Sequence, residues 1–335
     1  MRAKDIAKML GVSTATVSLV VNNKPGVGSR KRREIIETIQ ELGCEELLKK
    51  GGAVKGKIIF VVFKKEGRIV DESPFFAYLI EDITQKIAAS GYSLSFLYLN
   101  GGMEAEEVRH QLLAQNPSGL IIFGVEMKRE DLQMFAETKL PFVIVDNAFL
   151  QSDVDSVAIA NFVGTTQALS HLHEMGHREI GYLKCTTRIN SFEERFECYR
   201  MWLSQMGLEL REEHIVELGY SEREIGHAIS RLLRSKASLP TAFFAENDYL
   251  GCHALRHFAD AGVRIPQELS LVGFDDRPIA QMIRPQLTTV AVPKRDFGEA
   301  AVNLLLEKIE GRRTFSVKLA IGTNLVIRDS VKDLR

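Results

Sequence analysis

The first 43 residues contain three groups of apolar positions at helical spacing. The spacing predicts helices over residues 3–10, 14–21 and 29–42, with Gly11 placed to end the first helix and Ser13 a favourable N-cap for the second. Their apolar faces are Ile6, Met9 and Leu10 in the first helix, Val12, Val17, Val20 and Val21 along the second, and Ile35, Ile36, Ile39 and Leu42 in the third. Two short helices joined by a tight turn, followed by a third, predict a helix-turn-helix unit.

From residue 57 onward, short apolar runs alternate with helical patterns. The first run, IIFVVF at 58–63, is continuously apolar, as expected for a strand buried on both faces. The alternation begins again near Asn161, so we predict two successive doubly wound parallel sheets, and therefore two lobes with a cleft between them. The predicted strands cover residues 58–63, 94–99, 119–123, 141–145, 180–183, 215–218, 241–245, 269–274, 288–292, 315–321 and 324–327.

These patterns divide the chain into a head at 1–43, a linker at 44–56 that contains two lysines and two glycines in a row, and an α/β core at 57–335. The charge is divided in the same way. Residues 1–57 hold twelve Lys and Arg against six Asp and Glu, so a net charge of −1 combines a basic head with an acidic body. This is the electrostatic pattern of a DNA-binding protein, although a three-helix bundle with a solvated basic face would show the same charge.

The predicted second helix has a small, hydroxyl-rich outer face, formed by Thr14, Ala15, Thr16 and Ser18. Such a face can approach DNA closely, because hydroxyls and helix N-terminal amides bind phosphates while small side chains reach base edges.

The stretch DIAKMLGVSTATVSLVVNNKPGVG, with LVGFDD and PQLTTVAVP near the C-terminus, resembles LacI/GalR (lac repressor) family transcription regulators. The resemblance covers nearly the whole chain. It implies a core like the type I periplasmic binding proteins, crossed three times by the chain, and a homodimer that binds a near-palindromic operator. An effector in the cleft would alter operator affinity. The implied lobes are about 57–159 with 291–320, and about 160–290 with 321–330.

In such a head we expect Thr14, Ala15 and Leu19 nearest to base edges, and Ser13, Thr16, Ser18 and Asn22 nearer to phosphates. Family members usually have Arg at the Leu19 position, and Leu removes a bidentate guanine contact. The linker lacks the family's Tyr-x-Pro-Asn and Ala-Arg-x-Leu motifs. Leu47 or Leu48 could still wedge into the minor groove, or the linker could be a plain tether with its leucines packed on the head.

Polar side chains follow the carboxyl ends of several predicted strands, where ligands bind in such sheets. Carboxylates and amides suit vicinal hydroxyls, a guanidinium offers a planar fork, and aromatic rings offer an apolar face, so we predict a sugar-like effector. The candidate residues are Phe75, Phe76, Asp146, Arg195, Tyr220, Asn247, Asp248 and Asp275. Arg188, Asn190 and Ser191 lie together on one loop of the same predicted site. A carboxylate after a strand is also a common helix cap, which fits Asp248 best, and the two phenylalanines could be core.

Other functions have weaker support. The spacing of the four cysteines is not that of a metal site and indicates reduced thiols; they are Cys44, Cys185, Cys198 and Cys252. No apolar run reaches the ~20 residues of a membrane helix. We therefore expect a cytoplasmic protein. His173 and His177 have the i, i+4 spacing of a zinc pair, but Gly176 indicates a helix C-cap there, and we expect neither metal nor cofactor.

The chain ends without a heptad repeat, which favours a dimer over a tetramer. The alternatives are a sugar or nucleoside sensor with a weakened head and, more distantly, an enzyme acting on sugars or nucleosides.

Overall fold

The computed structural model describes residues 3–21, 26–44, 47, 54–72, 75, 77–235 and 238–335. The chain divides into two compact units, one of residues 1–58 with 87–95 and one of residues 59–86 with 96–335. No helix within the described residues is both long and apolar enough to cross a membrane. The predicted limits of the head, linker and lobes remain predictions.

The head consists of three helices, α1 (Ala3–Met9), α2 (Thr14–Val21) and α3 (Ser29–Glu41). Their apolar side chains form one small core, in which Ile6, Val17, Ile35 and Ile39 are fully buried. Gly11 lies in the turn between α1 and α2 and has a φ of +62°. Glycine adopts this left-handed backbone conformation without steric strain, because it has no Cβ.

One apolar position of the head differs from the prediction. Met9 is 58% exposed, whereas Ala7 is buried beside Ile6. The buried face of α1 runs through Ile6, Ala7 and Leu10, and Met9 lies about 200° around the helix from Ala7, on the opposite side. The prediction that Met9 packs inward is therefore wrong.

The core contains two six-stranded sheets. The strand order is β11-β5-β4-β3-β1-β2 in the first sheet and β12-β10-β9-β8-β6-β7 in the second. The strands of the first sheet are β1 (Lys57–Lys64), β2 (Ser93–Asn100), β3 (Gly119–Phe123), β4 (Phe142–Val145), β5 (Asp155–Ile159) and β11 (Lys318–Ile321). Those of the second are β6 (Ile180–Cys185), β7 (Ile215–Leu218), β8 (Ala242–Ala245), β9 (Ser270–Asp275), β10 (Thr288–Ala291) and β12 (Asn324–Val326).

Helices connect these strands. They are α4 (Arg68–Glu72), α5 (Ala77–Ala89), α6 (Ala105–Leu113), α7 (Leu132–Ala136), α8 (Asn161–Glu174), α9 (Asn190–Gln205), α10 (Glu222–Arg234), α11 (Asp248–Asp260), α12 (Pro278–Met282) and α13 (Lys294–Ile309). The helix α13 packs against β3, β4 and β5 of the first sheet, although it follows β10 of the second sheet in the chain. The chain thus passes from one sheet to the other after Ile159, after Ala291 and after Ile321.

The two sheets repeat one arrangement. Apart from the edge strands β11 and β12, the order β5-β4-β3-β1-β2 corresponds to β10-β9-β8-β6-β7. The pairs β3–β4, β8–β9 and β9–β10 are parallel, so their carboxyl ends lie at one edge of each sheet. Strand β12 is antiparallel to β10, with Leu325 opposite Val290. The core is therefore mostly parallel rather than wholly parallel.

Candidate functional site

A small cavity lies where the carboxyl ends of the strands from both sheets meet. Apolar side chains form much of its wall, among them Phe75, Phe123 and Phe192, and polar side chains from both lobes point into it. Its volume is about 30 Å³, enough for roughly one or two water molecules. The cavity is therefore nearly filled by the side chains that surround it.

Arg195 lines this cavity and is 2% exposed. Its Nε donates to Asn161 Oδ1 at 2.8 Å, and one Nη donates to the carbonyl of Glu246. The other Nη lies 3.5 Å from Asp275 Oδ1, and the guanidinium stacks 3.6 Å from the centre of the Phe274 ring. These contacts fix the plane of the guanidinium and compensate its charge inside the protein.

Asp146 and Asp275 occupy equivalent positions at the ends of β4 and β9. Both have left-handed backbones, with φ of +65° and +103°, which non-glycine residues adopt rarely. Burial raises the pKa of Asp146 to about 7, against the opposing charge of Arg195. Burial also raises the pKa of Asp275, and Arg195 again opposes it. Across the cleft, Ser191 Oγ lies 3.5 Å from Asp146 Oδ1.

Tyr220 and Asn247 form a second polar part of the wall. Asn247 Nδ2 donates to the Tyr220 hydroxyl at 2.8 Å, and Asn247 Oδ1 caps α11 by accepting from the Leu250 amide at 3.0 Å. The Tyr220 ring stacks on Tyr249 with ring centres 4.9 Å apart. Both cavity residues are thus held in place by the second lobe itself.

The structure places one predicted residue, Asp248, outside the lining of the cavity. Asp248 is fully buried behind the wall, where it accepts from the Arg277 amide at 2.7 Å and from the Thr289 hydroxyl. Burial, and next the charge of Asp275, raise its pKa to about 8. These contacts give Asp248 a structural role, and its contact with an effector stays a prediction. Phe75 lines the cavity and packs edge-on against Phe297, whereas Phe76 lies outside the described residues.

Two buried glutamates near the cleft were missed. Glu126 follows β3 and Glu246 follows β8, and they are 8% and 0% exposed. Burial raises the pKa of Glu246 to about 7. Both lie just past a strand's carboxyl end, which is the same signal that identified Asp146 and Asp275 in the sequence.

The His173–His177 segment ends α8 as predicted. Gly176 has a φ of +91°, and the His177 amide donates to the Leu172 carbonyl at 3.0 Å, so the predicted glycine C-cap is confirmed. His177 Nδ1 lies 2.8 Å from Thr241 Oγ1. Across the described part of the chain, no cluster of three metal-binding side chains occurs.

In the head, Ser13 caps α2: its Oγ accepts from the Thr16 amide at 3.0 Å. Thr14, Ala15 and Ser18 are exposed on α2, and Thr16 and Leu19 are half-buried. Asn22, the remaining predicted DNA contact, lies outside the described residues. The exposed face of α2 is therefore small and rich in hydroxyls, and its contacts with DNA stay a prediction.

Only part of the linker is described. Leu47 is half-buried and packs against the core of the head, as does Cys44, whereas Leu48 lies outside the described residues. The packing of Leu47 agrees with a tether whose leucine is held by the head.

Comparison with known proteins assigns the chain to a family. Residues 3–44 match the model of bacterial regulatory proteins of the lacI family, and residues 169–331 match the periplasmic binding protein-like domain. The HTH-type transcriptional repressor PurR of Pasteurella multocida (strain Pm70) is 30% identical over 335 residues, covering 98% of each chain. The chain belongs to the LacI family.

Other known proteins are similar over nearly the whole chain. PurR of Haemophilus influenzae (strain PittEE) is 30% identical over 99% of this chain and 98% of that one. A transcriptional regulator CelR–cellobiose complex has a TM-score of 0.73 at 26% identity, covering 98% and 99% of the two chains. The lac repressor dimer bound to operator and the anti-inducer ONPF has a TM-score of 0.74 at 23% identity over 99% of each, which shows the fold alone.

The predicted family and fold class, a helix-turn-helix head with a two-lobed α/β core, are confirmed. As a member of the family, the protein is a ligand-responsive DNA-binding repressor.

Proposed function

We propose that this LacI-family member is a cytoplasmic, homodimeric repressor of carbohydrate-utilisation genes, whose operator affinity is altered by a sugar-like effector in the cleft. The observation that carries the proposal is the convergence of Asp146, Arg195 and Asp275 from both lobes on one buried cavity. This function requires no catalytic step.

The chemistry of the cavity suits a polyol. Asp146, with a pKa of about 7, can accept or donate a hydrogen bond near neutral pH, and Arg195 donates only. Vicinal hydroxyls can satisfy both kinds of group. Phe75 and Tyr220 would cover the apolar face of a sugar ring, as aromatic side chains commonly do in small-molecule sites.

The small volume of the cavity supports coupling between effector and lobe movement. A sugar ring is much larger than the one or two water molecules that about 30 Å³ can hold. In this proposal the two lobes separate, or shift, to admit the sugar ring. A ligand that prefers one lobe arrangement shifts the population toward it, and this change in the core is what we propose alters operator affinity.

Strand β2 supports the proposed dimer. It lies at an edge of the first sheet, and its Phe96 and Tyr98 side chains are 42% and 55% exposed. Exposed aromatic side chains on an edge strand favour pairing with another protein surface. Two heads held together would bind a near-palindromic site far more tightly than one head alone.

Leu19 allows the DNA-binding part of the proposal to be tested. It is half-buried on α2, and its Cδ1 lies beside Gly26. Leucine offers base edges only an apolar contact, so the protein should not select guanine at the facing base pair. Leu19→Arg should gain that selection, worth about 1–3 kcal/mol for one bidentate contact.

The deciding experiment is selection from a random double-stranded DNA library at moderate salt. We expect a near-palindromic site to be enriched, and this site is then used to screen sugars and nucleosides for a change in DNA affinity. Enrichment followed by a response to nucleosides alone would replace the sugar class. An absence of enrichment, with and without the pooled small molecules, would refute the repressor mechanism proposed here.

The linker also agrees with a second function. Leu47 packs against the core of the head, and the linker lacks the family motifs, which together agree with a sugar or nucleoside sensor whose head binds DNA weakly. This alternative predicts small-molecule binding by the protein without any enriched DNA site, so the same experiment distinguishes the two.

A further inference from the structure

Among the described residues, each lobe has one buried glutamate beside the cleft. Glu126 follows β3 and Glu246 follows β8, and these two strands occupy the same place in their sheets. A buried carboxylate is costly unless hydrogen bonds compensate it, so the partners of both glutamates indicate what they hold. The partners of Glu126 lie on the loop after β1 and in the first turns of α4, and those of Glu246 lie in β6 and on the loop after it.

The Glu126 carboxylate holds the loop after β1. It accepts hydrogen bonds from five backbone amides about 60 residues away in the chain, three in this loop and two in α4, which follows it. Oε2 accepts from Lys65, Glu66 and Gly67 at 2.8, 3.0 and 2.9 Å, and Oε1 accepts from Ile69 and Val70 at 3.2 and 3.4 Å. Charged acceptors form stronger hydrogen bonds than neutral ones, so this carboxylate determines the path of the whole loop.

The Glu246 carboxylate joins β6 to the loop that follows it. It accepts from the Cys185 amide at 2.7 Å, from the Tyr182 hydroxyl at 3.0 Å, and from one Nη of Arg188 at 2.8 and 2.9 Å. Its own backbone carbonyl accepts from Arg195. The side chain and the main chain of Glu246 therefore fix both the loop and this arginine of the cavity.

Both loops supply the walls of the cavity. The first leads to Ile69 in α4 and then to Phe75, and the second leads to Ile189 and Ser191. We propose that Glu126 and Glu246 are paired positioning residues, one in each lobe, that hold these loops in the shape required for effector binding. The proposal rests on the proposed role of the cleft as the effector site. Neither glutamate contacts the effector in this scheme.

Glutamine in place of Glu126 tests this role closely, because it keeps the size of the side chain. Its amide oxygen can replace only one carboxylate oxygen. Its NH2 group would face backbone N–H donors, either Ile69 and Val70 or the three amides on the other side. At least two amides then lose their acceptor, and the loop is released. Glu130→Gln is the matched control, because Glu130 is exposed and its carboxylate lies 3.2 Å from the Lys65 ammonium rather than on the backbone amides.

The experiment measures hydrogen exchange in full-length, ligand-free protein. In Glu126→Gln we expect exchange at residues 65–70 to rise about tenfold or more, from the loss of charged hydrogen bonds, while exchange in β3 and β4 stays as in the wild type. In Glu130→Gln the loop should exchange as in the wild type. Unchanged exchange at 65–70, or an equal rise throughout the first lobe, would overturn the proposal, since the latter marks a general loss of stability.

Glu246→Gln provides the second test, with Glu193→Gln as its control, because Glu193 is exposed and pairs with the same Arg188 at 2.8 Å. We expect faster exchange of the Cys185 amide in Glu246→Gln only.

All four variants are then titrated with cellobiose, D-glucose and D-ribose against the selected DNA site. A weaker response in the two glutamine variants of Glu126 and Glu246, relative to their controls, supports the proposal, and an equal response overturns it. If the wild type responds to none of these sugars, the proposed effector class fails, while the exchange result still decides the positioning role.

Discussion

Replacing Arg195 by methionine tests the electrostatics of the cavity. Methionine keeps much of the length of the side chain but removes the charge and every donor. Asn161 Oδ1 and the Glu246 carbonyl each lose a hydrogen-bond donor, and Asp275 loses the cation 3.5 Å away. Removing one partner of a buried ion pair costs about 3–5 kcal/mol. Arg277 and Lys294 also lower the pKa of Asp275, so we expect a loss near the lower limit, about 3 kcal/mol.

The loss of folding stability in Arg195→Met should depend on pH. Burial already raises the pKa of Asp275 above its ordinary value, and without Arg195 the pKa rises further. The folded variant then holds a proton that the unfolded chain releases. A carboxyl group with a raised folded pKa loses stability as the pH climbs from its unfolded pKa toward its folded pKa. Arg195→Met should therefore be destabilised more at about pH 8 than at about pH 5.

Urea unfolding of the full-length protein at both pH values measures this difference. The double variant Arg195→Met, Asp275→Asn should lose the extra pH dependence, because it removes the titrating group together with its cation. A single variant destabilised by less than about 1 kcal/mol, or equally at both pH values, would show that Arg195 does not compensate a buried charge.

Three further predictions concern other parts of the chain. Burial raises the pKa of Asp146 from 3.8 to about 7, so the free energy of unfolding of the wild type should fall by up to about 4 kcal/mol as the pH rises through that interval. In Asp146→Asn this pH dependence should be smaller, as measured by thermal unfolding at several pH values. Ser13→Ala removes the cap on the Thr16 amide and should lower the stability of α2 by about 1 kcal/mol, seen as faster hydrogen exchange there. Gly164→Ala would place a Cβ 2.7 Å from the Phe274 ring and should lower the free energy of unfolding by about 1–3 kcal/mol.

Much of the fold was predictable because its elements have a strong local pattern. The head helices carry caps and turn residues, and helices such as α10 show clear amphipathic spacing. Strand β5 was missed because its sequence, DSVAI, is short and starts with two polar residues. It becomes a buried strand only by pairing with β4 on one side and with β11, about 160 residues later in the chain, on the other. Such non-local pairing leaves little local signal.

The candidate site was predictable only as a set of strand ends. The sequence places Asp146 and Asp275 after strands, and the parallel topology brings such ends together. It does not show that Asp248 turns behind the wall toward Thr289, because Asp248 and the neighbouring Asn247 both follow β8. It also does not show that Glu126 is buried, because its five partners are backbone amides, which any sequence supplies.

The left-handed backbone at Asp146 and Asp275 has a consequence for how this cleft can evolve. At φ of +65° and +103°, glycine and asparagine are the replacements that the main chain tolerates best, and β-branched or bulky residues add strain. The chemistry at these two points is thus restricted to a few small residues. New effector preferences in descendants of this protein should therefore arise at the freer wall positions, such as Phe75 and Ile189, while the two aspartates change rarely.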